Sequence, residues 1–478
     1  MKKYNSLTEI QELIAQQKLS LPDLLDYYFE QIAASEHLNA FNEVFFLSAK
    51  AQAQTVQEKI NKKTAGKLAG MVIGIKDNIC YKGHMVTASS KMLDGFVAPY
   101  SATVIERLLA EDAVIIGRLN CDEFAMGGSN ETSYFGPVKN AIDAQRVSGG
   151  SSGGSAVAVQ ADLCLAALGT DTGGSVRQPA AFCGCIGFKP TYGRISRYGV
   201  IAYASSFDQV GTLTSSVSDA AILLEVLAGG DTHDSTVSNK DVPTYSTLLD
   251  EVKPMRIAVL KEAMESEALD PEIKSSIEQA IALFKEQGHE VTEVSFDLLD
   301  YLVPTYYVLT AAEASSNLSR YDGVHYGYRN TSAKSLNDLY KLSRAEGFGT
   351  EVKRRIMLGT FILSAGYYDA YYQKAQKVRR LIREKMEILL SEYDVLLLPV
   401  TPTPAFKLGE NIKDPLVMYM EDIFTVLANL TGVPAIALPL GNNAAGLPLS
   451  VQLISRQFAE ETLLSLSNSF LNLTVDAI

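Results

Sequence analysis

The sequence predicts an α/β fold with a largely buried β-sheet. Short runs rich in β-branched residues alternate with stretches that carry apolar residues at helical spacing, and this rhythm continues along most of the chain. Its first clear instance is a helical segment, Thr103 to Ala110, between the strand candidates Met71 to Ile75 and Val114 to Ile116. Hydrophobic residues fill 47% of the 478 positions and charged residues 20%, which is typical of a folded globular protein.

Helix-capping signals begin the chain. Ser6 and Glu9 have the spacing of a capping box, and Ser20 followed by Pro22 is typical of a second helix start. We therefore expect residues 1–62 to form a helical segment that packs on one large domain, which comprises residues 1–478.

Six later segments have the length and apolar content of buried strands. They are Leu163 to Leu168, Arg256 to Leu260, His289 to Val294, Val395 to Val400, Ala435 to Leu438 and Leu449 to Ile454.

Residues 229–254 are polar and rich in turn formers, which fits either a domain linker or a surface excursion within one sheet domain. The helical stretch 367–390 has four basic residues on one face, which we expect to be solvated. These are Arg379, Arg380, Arg383 and Lys385.

Charge and composition exclude several classes of protein. A formal net charge of −13 repels a nucleic-acid backbone, so any nucleic acid must be held mainly by something other than this chain. No apolar run approaches the about 18 residues of a membrane span, and the first residues lack the apolar stretch of a signal peptide. The five cysteines lie mostly in apolar or glycine-rich sequence, which indicates reduced, buried thiols. We therefore expect a cytoplasmic protein.

Three segments carry the candidate chemistry, namely Gly74 to Asn78, Ser148 to Ser155 and Gly169 to Arg177. The second, SGGSSGGS, would by itself suggest a flexible linker. An apolar helical run, Ala156 to Ala161, follows it at once, so its glycines should end at a helix N-terminus, where unpaired backbone N–H groups collect. A P-loop is disfavoured, because no Lys-Ser/Thr pair follows the glycines.

The third segment has the composition of an oxyanion hole around a serine nucleophile. Its small residues let the chain turn sharply, so that backbone N–H groups could meet the oxyanion formed when Ser175 attacks a carbonyl. Those groups belong to Thr172, Gly173, Gly174 and Ser175 itself. Histidine is the usual base for such a serine, but the five histidines are scattered over segments without a matching motif. Lys76, at the end of a strand-like run, either snorkels at a sheet edge or is desolvated and serves as the base.

The strings IKDN, SGGSSGGS and GTDTGGSVRQPA, in this order and spacing, resemble the three core segments of the amidase signature family, whose members hydrolyse amides with a Ser-Ser-Lys triad. The resemblance implies that Ser175 is the nucleophile, that Ser151 is a bridging serine after a cis peptide bond, and that Lys76 is the ultimate base. It also implies a single large, twisted, mixed β-sheet with helices on both faces.

Five further strings resemble one branch of that family, the A subunits of bacterial glutamyl-tRNA(Gln) and aspartyl-tRNA(Asn) amidotransferases. They are FAMGGSNETSYFGPVKN, KPTYGRISRYG, SSNLSRYDGVHYG, EVKRRIMLGTF and SAGYYDAYY. Ala141 and Ser148 stand where proline is usual in this branch, on the loop before Ser151. The alternatives are a stand-alone amidase acting on another small amide and a non-catalytic scaffold protein, and the intact motif segments argue against the scaffold.

This branch implies a substrate and partners. The substrate is glutamine, with Tyr306 and Arg355 matching the positions that bind its α-carboxylate and Asp422 the position that binds its α-ammonium. Ammonia passes to a larger subunit that holds tRNA and uses ATP and Mg²⁺, while a small third subunit wraps this one. No metal or other cofactor is implied on this chain. Without the resemblance, the three residues would be interpreted as a core aromatic and two surface charges.

Overall fold

One sheet of eleven strands organises the molecule. The computed structural model describes residues 3–411 and 414–475, and the strand order across the sheet in these ranges is 1-3-2-4-6-5-10-11-9-7-8. The strands are β1 (Phe41–Val44), β2 (Val72–Lys76), β3 (Val114–Leu119), β4 (Ala166–Asp171), β5 (Ile186–Lys189), β6 (Gln209–Thr214), β7 (Arg256–Leu260), β8 (Glu290–Val294), β9 (Val395–Pro399), β10 (Ala435–Asn442) and β11 (Pro448–Ser455).

The sheet is mixed, as the resemblance implied. β2 lies parallel to β3 and β4, and β7 lies parallel to β8 and β9, whereas antiparallel ladders join the strands between these two groups. Because β2 and β4 are parallel neighbours, their carboxyl ends lie at the same edge of the sheet, where α/β proteins commonly bind ligands.

Sixteen α-helices surround the sheet in the described ranges. They are α1 (Leu7–Ala15), α2 (Leu21–Ala34), α3 (Phe46–Asn61), α4 (Thr103–Ala110), α5 (Gly153–Gln160), α6 (Arg177–Cys183), α7 (Val217–Leu227), α8 (Lys261–Met264), α9 (Pro271–Glu286), α10 (Leu302–Asn317), α11 (Leu336–Gly347), α12 (Thr350–Ile362), α13 (Lys374–Glu392), α14 (Pro415–Met420), α15 (Val426–Thr431) and α16 (Glu460–Val475). The main hydrophobic cluster extends from Tyr4 to Phe470, so the first and last helices share one core with the sheet. The predicted α/β fold class is confirmed.

The N-terminal segment is only partly helical. Ser6 and Ser20 cap α1 and α2 as expected, since each hydroxyl accepts a backbone N–H at 3.2 Å. The expectation of helices throughout was wrong at Phe41–Val44, which forms β1 and pairs antiparallel with β3. These four half-buried residues lie at the edge of the sheet, where neither strict alternation nor a continuous apolar run is required.

The polar stretch 229–254 is a surface excursion and not a linker. It contains one short 3₁₀ turn, Tyr245–Thr247, between α7 and β7. The guanidinium of buried Arg194 donates to the carbonyl oxygens of Lys240 at 3.2 Å and Asp241 at 2.8 Å, and to the hydroxyl of Tyr245 at 2.6 Å. These bonds fix the excursion to the body of the domain.

The predicted helix 367–390 is interrupted, and one of its basic residues is not solvated. Residues Tyr368–Gln373 form a π-helical turn before α13. Arg379 turns inward and donates to the carbonyl oxygens of Ser206 and Leu430, each at 3.0 Å. The expectation of a solvated face was therefore wrong for Arg379, whereas Arg380 and Arg383 are 81% and 54% exposed.

The cysteine prediction is confirmed, because all five cysteines are buried and no disulfide joins any two of them. Of the helices within the described ranges, none has the length and apolar character to cross a bilayer.

Candidate active site

The fold brings the three motif segments together at one edge of the sheet. Lys76 is the last residue of β2, and Asp171 is the last residue of β4, its parallel neighbour. Ser151 and Ser152 immediately precede α5, which packs against both strands. Residues far apart in sequence therefore meet because two parallel strands end, and one helix begins, at the same place.

Lys76 is fully buried and contacts two serines. Its Nζ donates to Ser151 Oγ at 2.7 Å, to Ser152 Oγ at 2.9 Å and, weakly, to the carbonyl oxygen of Thr170 at 3.5 Å. With 0% of the side chain exposed, the snorkelling interpretation is wrong. Burial lowers the pKa of Lys76 to about 8, although nearby acidic groups oppose the shift. A neutral amine is therefore accessible close to neutral pH.

Ser175 lies in the turn that joins β4 to α6, and it retains 9% exposure. The carboxylate of Asp171 holds this turn, accepting the backbone N–H groups of Gly174 at 2.9 Å and Val176 at 3.2 Å. Gly174 therefore departs from the predicted oxyanion hole, because its N–H is already engaged. Within the described residues, the N–H groups of the other three predicted donors have no protein acceptor. These are Thr172, Gly173 and Ser175.

A buried ion pair fixes Asp171 in turn. Arg177 donates through Nε and Nη2 to the two carboxylate oxygens of Asp171, both at 3.0 Å. The same guanidinium reaches the carbonyl oxygen of Thr425 at 2.9 Å and the amide oxygen of Asn429 at 2.7 Å. Although burial opposes ionisation, Arg177 holds the pKa of Asp171 well below its usual value. The turn that carries Ser175 thus rests on a charge pair with no exposed area.

The serine segment approaches Ser175 through its backbone. The Gly150–Ser151 peptide is cis, and the N–H of Ser152 donates to the carbonyl oxygen of Ser175 at 3.1 Å. The hydroxyl groups of Ser151 and Ser175 share no hydrogen bond among the described residues. The structure therefore contains the Lys76–Ser151 contact of the predicted triad, with Ser175 held nearby. Ser152 is a further partner of Lys76 that motif comparison did not single out.

Asp122 packs the neighbouring loop against the serine segment. Its buried carboxylate accepts the N–H of Asn130 at 2.9 Å and the hydroxyl of Thr132 at 2.7 Å. A Cβ at Gly127 or at Gly150 would overlap this carboxylate, so both positions require glycine. The loop 127–132 is thereby placed directly beside the cis peptide.

Hydrogen bonds occur at Ala141 and Ser148, the two departures from the expected family pattern. The N–H of Ala141 donates to Gln160 Oε1 at 3.0 Å, which proline could not do. Ser148 Oγ donates to the carbonyl oxygen of Gly149 at 3.0 Å. These bonds constrain the loop before Ser151.

A cleft of about 380 Å³ adjoins the loop that packs against the serine segment, although Lys76, Ser151 and Ser175 do not line it. Its walls come from the loop 127–132 and from residues of α10, α12 and α14, and Tyr307 and Arg355 contribute to its lining. Gln178 connects this wall to the triad, because its side chain donates to the carbonyl oxygen of Gly128 at 2.7 Å and accepts the N–H of Gly150 at 2.8 Å. A larger groove of about 930 Å³ lies among α1, α2 and α3 but contains none of the motif residues.

Arg355 is buried among aromatic rings and one carboxylate. Its Nε donates to Glu351 Oε1 at 2.8 Å and its Nη1 to the hydroxyl of Tyr203 at 2.7 Å. The guanidinium also lies 5.2 Å from the ring centroid of Tyr307 and 5.5 Å from that of Tyr419. Among the described side chains, none accepts from Nη2, so this edge of the guanidinium is available to a ligand.

Tyr306 and Asp422 flank this arginine without lining the cleft themselves. The hydroxyl of Tyr306 lies against Gly173, where a Cβ would overlap it. Asp422 accepts the hydroxyl of Tyr307 at 2.7 Å. Burial raises the pKa of Asp422 to about 7 and that of the adjacent Glu421 to about 8. The structure thus brings Tyr306 to the 172–175 turn, and it brings both Arg355 and Asp422 into contact with Tyr307, Arg355 at the ring and Asp422 at the hydroxyl.

Sequence comparison missed four side chains around Arg355. Only the pair Glu351 and Arg355 had a local signal, the four-residue spacing of a helical ion pair in EVKRR. The other three are aromatic residues from distant segments, and the sequence contains no pattern that brings them together. They are Tyr203, Tyr307 and Tyr419.

Known proteins are similar to this chain in sequence and in fold. A family model described as Amidase matches residues 23–464. The chain is 49% identical to the A subunit of the glutamyl-tRNA(Gln) amidotransferase of Bdellovibrio bacteriovorus over 471 residues, 97% of this chain and 96% of that protein. The crystal structure of the corresponding A subunit of glutamyl-tRNA(Gln) amidotransferase from Thermotoga maritima superimposes with a TM-score of 0.79 at 40% identity, covering 97% of this chain and 93% of that chain. A peptide amidase in complex with the competitive inhibitor chymostatin gives a TM-score of 0.84 at 27% identity, covering 99% and 98%. The chain belongs to the amidase family.

Proposed function

We propose that this chain is the glutaminase subunit of a cytoplasmic, tRNA-dependent amidotransferase that converts Glu-tRNA(Gln), and in some settings Asp-tRNA(Asn), to the amidated form. The observation that carries the proposal is the 2.7 Å contact between buried Lys76 Nζ and Ser151 Oγ beside Ser175. A desolvated lysine with two serines in reach can move a proton without histidine. The relatives that share nearly the whole length of the chain support glutamine as the amide.

In the first half-reaction, Ser175 Oγ attacks the side-chain amide carbon of glutamine. Its proton passes through the Ser151 hydroxyl to neutral Lys76, and the oxyanion accepts hydrogen bonds from free backbone N–H groups of the 172–175 turn. Collapse of the tetrahedral intermediate breaks the C–N bond, and the proton on Lys76 returns through Ser151 to the leaving nitrogen. The products are ammonia and a γ-glutamyl ester of Ser175.

In the second half-reaction, water takes the place of ammonia. The same relay removes a proton from the water as it attacks the ester carbonyl, and the returning proton restores the Ser175 hydroxyl. Glutamate leaves, and one oxygen of its γ-carboxylate comes from the attacking water. No step requires a metal ion on this chain.

Glutamine recognition rests on two opposite charges that both contact Tyr307. Arg355 offers the free Nη2 edge to the α-carboxylate. Burial raises the pKa of Asp422 and so disfavours its ionised form in the free protein, and the α-ammonium restores that form by pairing with the carboxylate. Tyr306, against Gly173, lies between this pair and the nucleophile's turn. A substrate that lacks either α-group would leave one of these buried charges unpaired, which disfavours its binding.

Partners follow from the charge of the chain. A net charge of −13 leaves too little cationic surface to hold tRNA, so a larger subunit binds it and activates the misacylated side chain with ATP and Mg²⁺. A small third subunit completes the heterotrimer. We expect the isolated chain to be a poor glutaminase, because the partner gives ammonia a destination.

The test is glutamate release by the isolated chain and by the complex co-purified from co-expressed subunits, with the Ser175→Ala complex as the control. We expect activity in the complex, little in the isolated chain and none in the control. Binding of tRNA by the isolated chain should be weak and nearly independent of salt. Absence of glutamate release by the complex would contradict the proposal, whereas full activity of the isolated chain would favour a stand-alone amidase.

A further inference from the structure

One buried carboxylate near the triad has no part in the proton relay. Asp208 is 4% exposed and accepts four hydrogen bonds from two directions. The hydroxyl of Thr172 donates to Oδ1 at 2.7 Å, and the backbone N–H of Tyr203 donates to Oδ2 at 2.9 Å. The N–H of Ala204 is shared between the two oxygens at 3.1 Å each. In each of these contacts Asp208 is the acceptor.

The register of the sheet explains why Asp208 faces Thr172. Asp171, the last residue of β4, pairs with Gln209, the first residue of β6. Asp208 and Thr172 are thus the first residues beyond the paired ends of two neighbouring strands. Their side chains form a hydrogen bond at the position where β4 ends and the oxyanion turn begins.

The segment 203–208 that carries Asp208 is itself firmly held. Its Ser206 accepts from Arg379 Nη1 through Oγ at 3.0 Å, and the N–H of Ser206 donates to Glu313 Oε2 at 2.9 Å. The ring of Phe207 meets Tyr306 edge-on at 5.8 Å between centroids. Asp208 therefore links a fixed anchor to the residue that begins the oxyanion turn.

We propose that Asp208 is a positioning residue that orients the oxyanion turn through the hydroxyl of Thr172, an inference that rests on the proposed function. Oxyanion stabilisation depends on N–H groups that already point at the developing charge, so a small rotation at Thr172 weakens the transition state more than the ground state. Asp208 is buried, and the hydrogen bonds of its carboxylate within the described residues are to Thr172, Tyr203 and Ala204. In this proposal it acts on the rate through Thr172.

Asp208→Asn keeps the size of the side chain but removes its charge and replaces one acceptor oxygen with a donor. It therefore tests whether the charge and the hydrogen-bond acceptors matter, rather than the volume alone. Each oxygen of Asp208 faces two donors, so the side-chain amide of Asp208→Asn would, in either orientation, place an N–H₂ group against a hydroxyl or backbone donor. Thr172→Val removes the same contact from the other side and keeps the shape, whereas Thr172→Ser keeps the hydroxyl.

The experiment measures kcat and KM for glutamine in the assembled complex for Asp208→Asn, Thr172→Val, Thr172→Ser and the double variant Asp208→Asn/Thr172→Val. We expect each of the first two to lower kcat about tenfold with KM changed less than about threefold, and the double variant to lose no more than the larger single loss. Thr172→Ser, which keeps the hydroxyl, should lose clearly less kcat than Thr172→Val. Thr212→Val is the matched control, because Thr212 is a buried β6 threonine whose hydroxyl has no hydrogen-bond partner among the described residues, and it should leave both constants unchanged.

Three results would overturn the inference: losses that multiply in the double variant, a loss confined to KM, or equal losses in Thr172→Ser and Thr172→Val. If Asp208→Asn does not fold, the Thr172→Val and Thr172→Ser pair still decides, since neither removes the buried carboxylate. A wild-type complex that releases no glutamate would instead refute the proposed function, on which this inference depends.

Discussion

The base pocket and the substrate cleft adjoin each other but are built in opposite ways. The pocket around Lys76 comes from three continuous motif strings, and Ser151 and Ser152 are fully buried and bonded to the lysine. The cleft around Arg355 is assembled from α10, α12, α14 and the distant Tyr203, and its surroundings expose large apolar side chains. Met357 on α12 and Leu416 on α14 are 72% and 73% exposed.

This contrast shows where each property of the enzyme is encoded. A proton relay needs fixed distances and exclusion of water, which parallel strand ends and a helix start provide with little freedom of sequence. A recognition cleft needs only a few charges at the right places, and many combinations of loops and helices can supply them. Changes in the pocket should therefore affect chemistry or folding strongly, and changes in the cleft should affect the choice of substrate.

The largest effect should follow loss of the nucleophile. Ser175→Ala removes the group that forms the ester, so glutamate release by the complex should fall about 10⁴-fold or more. The exposed Ser319→Ala is the matched control and should have wild-type activity. Turnover that survives in Ser175→Ala would show that Ser175 is not the nucleophile and that the pocket is not where the chemistry occurs.

Breaking the buried ion pair behind Ser175 should cost stability. Arg177→Met leaves Asp171 charged and uncompensated in the interior, which should lower the free energy of unfolding by about 3–5 kcal/mol. Urea unfolding followed by circular dichroism measures it. Arg380→Met on the exposed face of α13 is the control and should cause no measurable change, so similar losses in both would contradict a special role for the buried pair.

A change beside the cleft should alter selectivity and leave the chemistry intact. Asp422→Asn keeps the shape but removes the charge opposite the α-ammonium, so kcat/KM for glutamine should fall about 30-fold. Hydrolysis of a small amide that lacks the α-amino group should stay within about twofold of wild type. Equal losses on both substrates would indicate a structural role for Asp422.

The smallest of the expected effects is the change of kcat with pH. The pKa of Lys76 is lowered to about 8, and only the neutral amine can accept a proton, so kcat should rise about tenfold between pH 7 and pH 9 and level off above that. Lys76→Arg, which remains protonated, should be inactive at every pH. A kcat that is flat across this range, or that falls as pH rises, would show that another group limits the relay.

The pocket could be predicted from sequence better than the cleft for a physical reason. Lys76, Ser151 and Ser175 lie in short strings, some of whose glycines are required by close packing, as at Gly150, where a Cβ would overlap the Asp122 carboxylate. The same strings could not reveal that Asp171 captures the N–H of Gly174, because that bond depends on how the turn closes. Nor could helical periodicity show that Arg379 points inward, since its length lets it reach carbonyl oxygens of Ser206 and Leu430.

The fold follows the same division. Apolar strands such as β2 and β9 are found from sequence, whereas sequence patterns miss the buried strands β5 and β6, one of which is short and the other partly polar. The edge strand β1 is half-buried and has no apolar signature. Its place is set by its ladder with β3 and not by its own composition. The aromatic cage around Arg355 is likewise a product of tertiary packing between distant segments.

The mechanism depends above all on a γ-glutamyl ester that forms on Ser175 within the pocket that Lys76 serves. Acid quenching of the assembled complex during glutamine turnover, followed by peptide mass mapping, would trap and locate this ester. We predict a glutamyl group on the peptide that contains Ser175, its absence in Ser175→Ala, and its conversion to γ-glutamyl hydroxamate when hydroxylamine is added. A glutamyl group on any other residue, or steady turnover by the complex with none trapped and no hydroxamate formed, would contradict the mechanism.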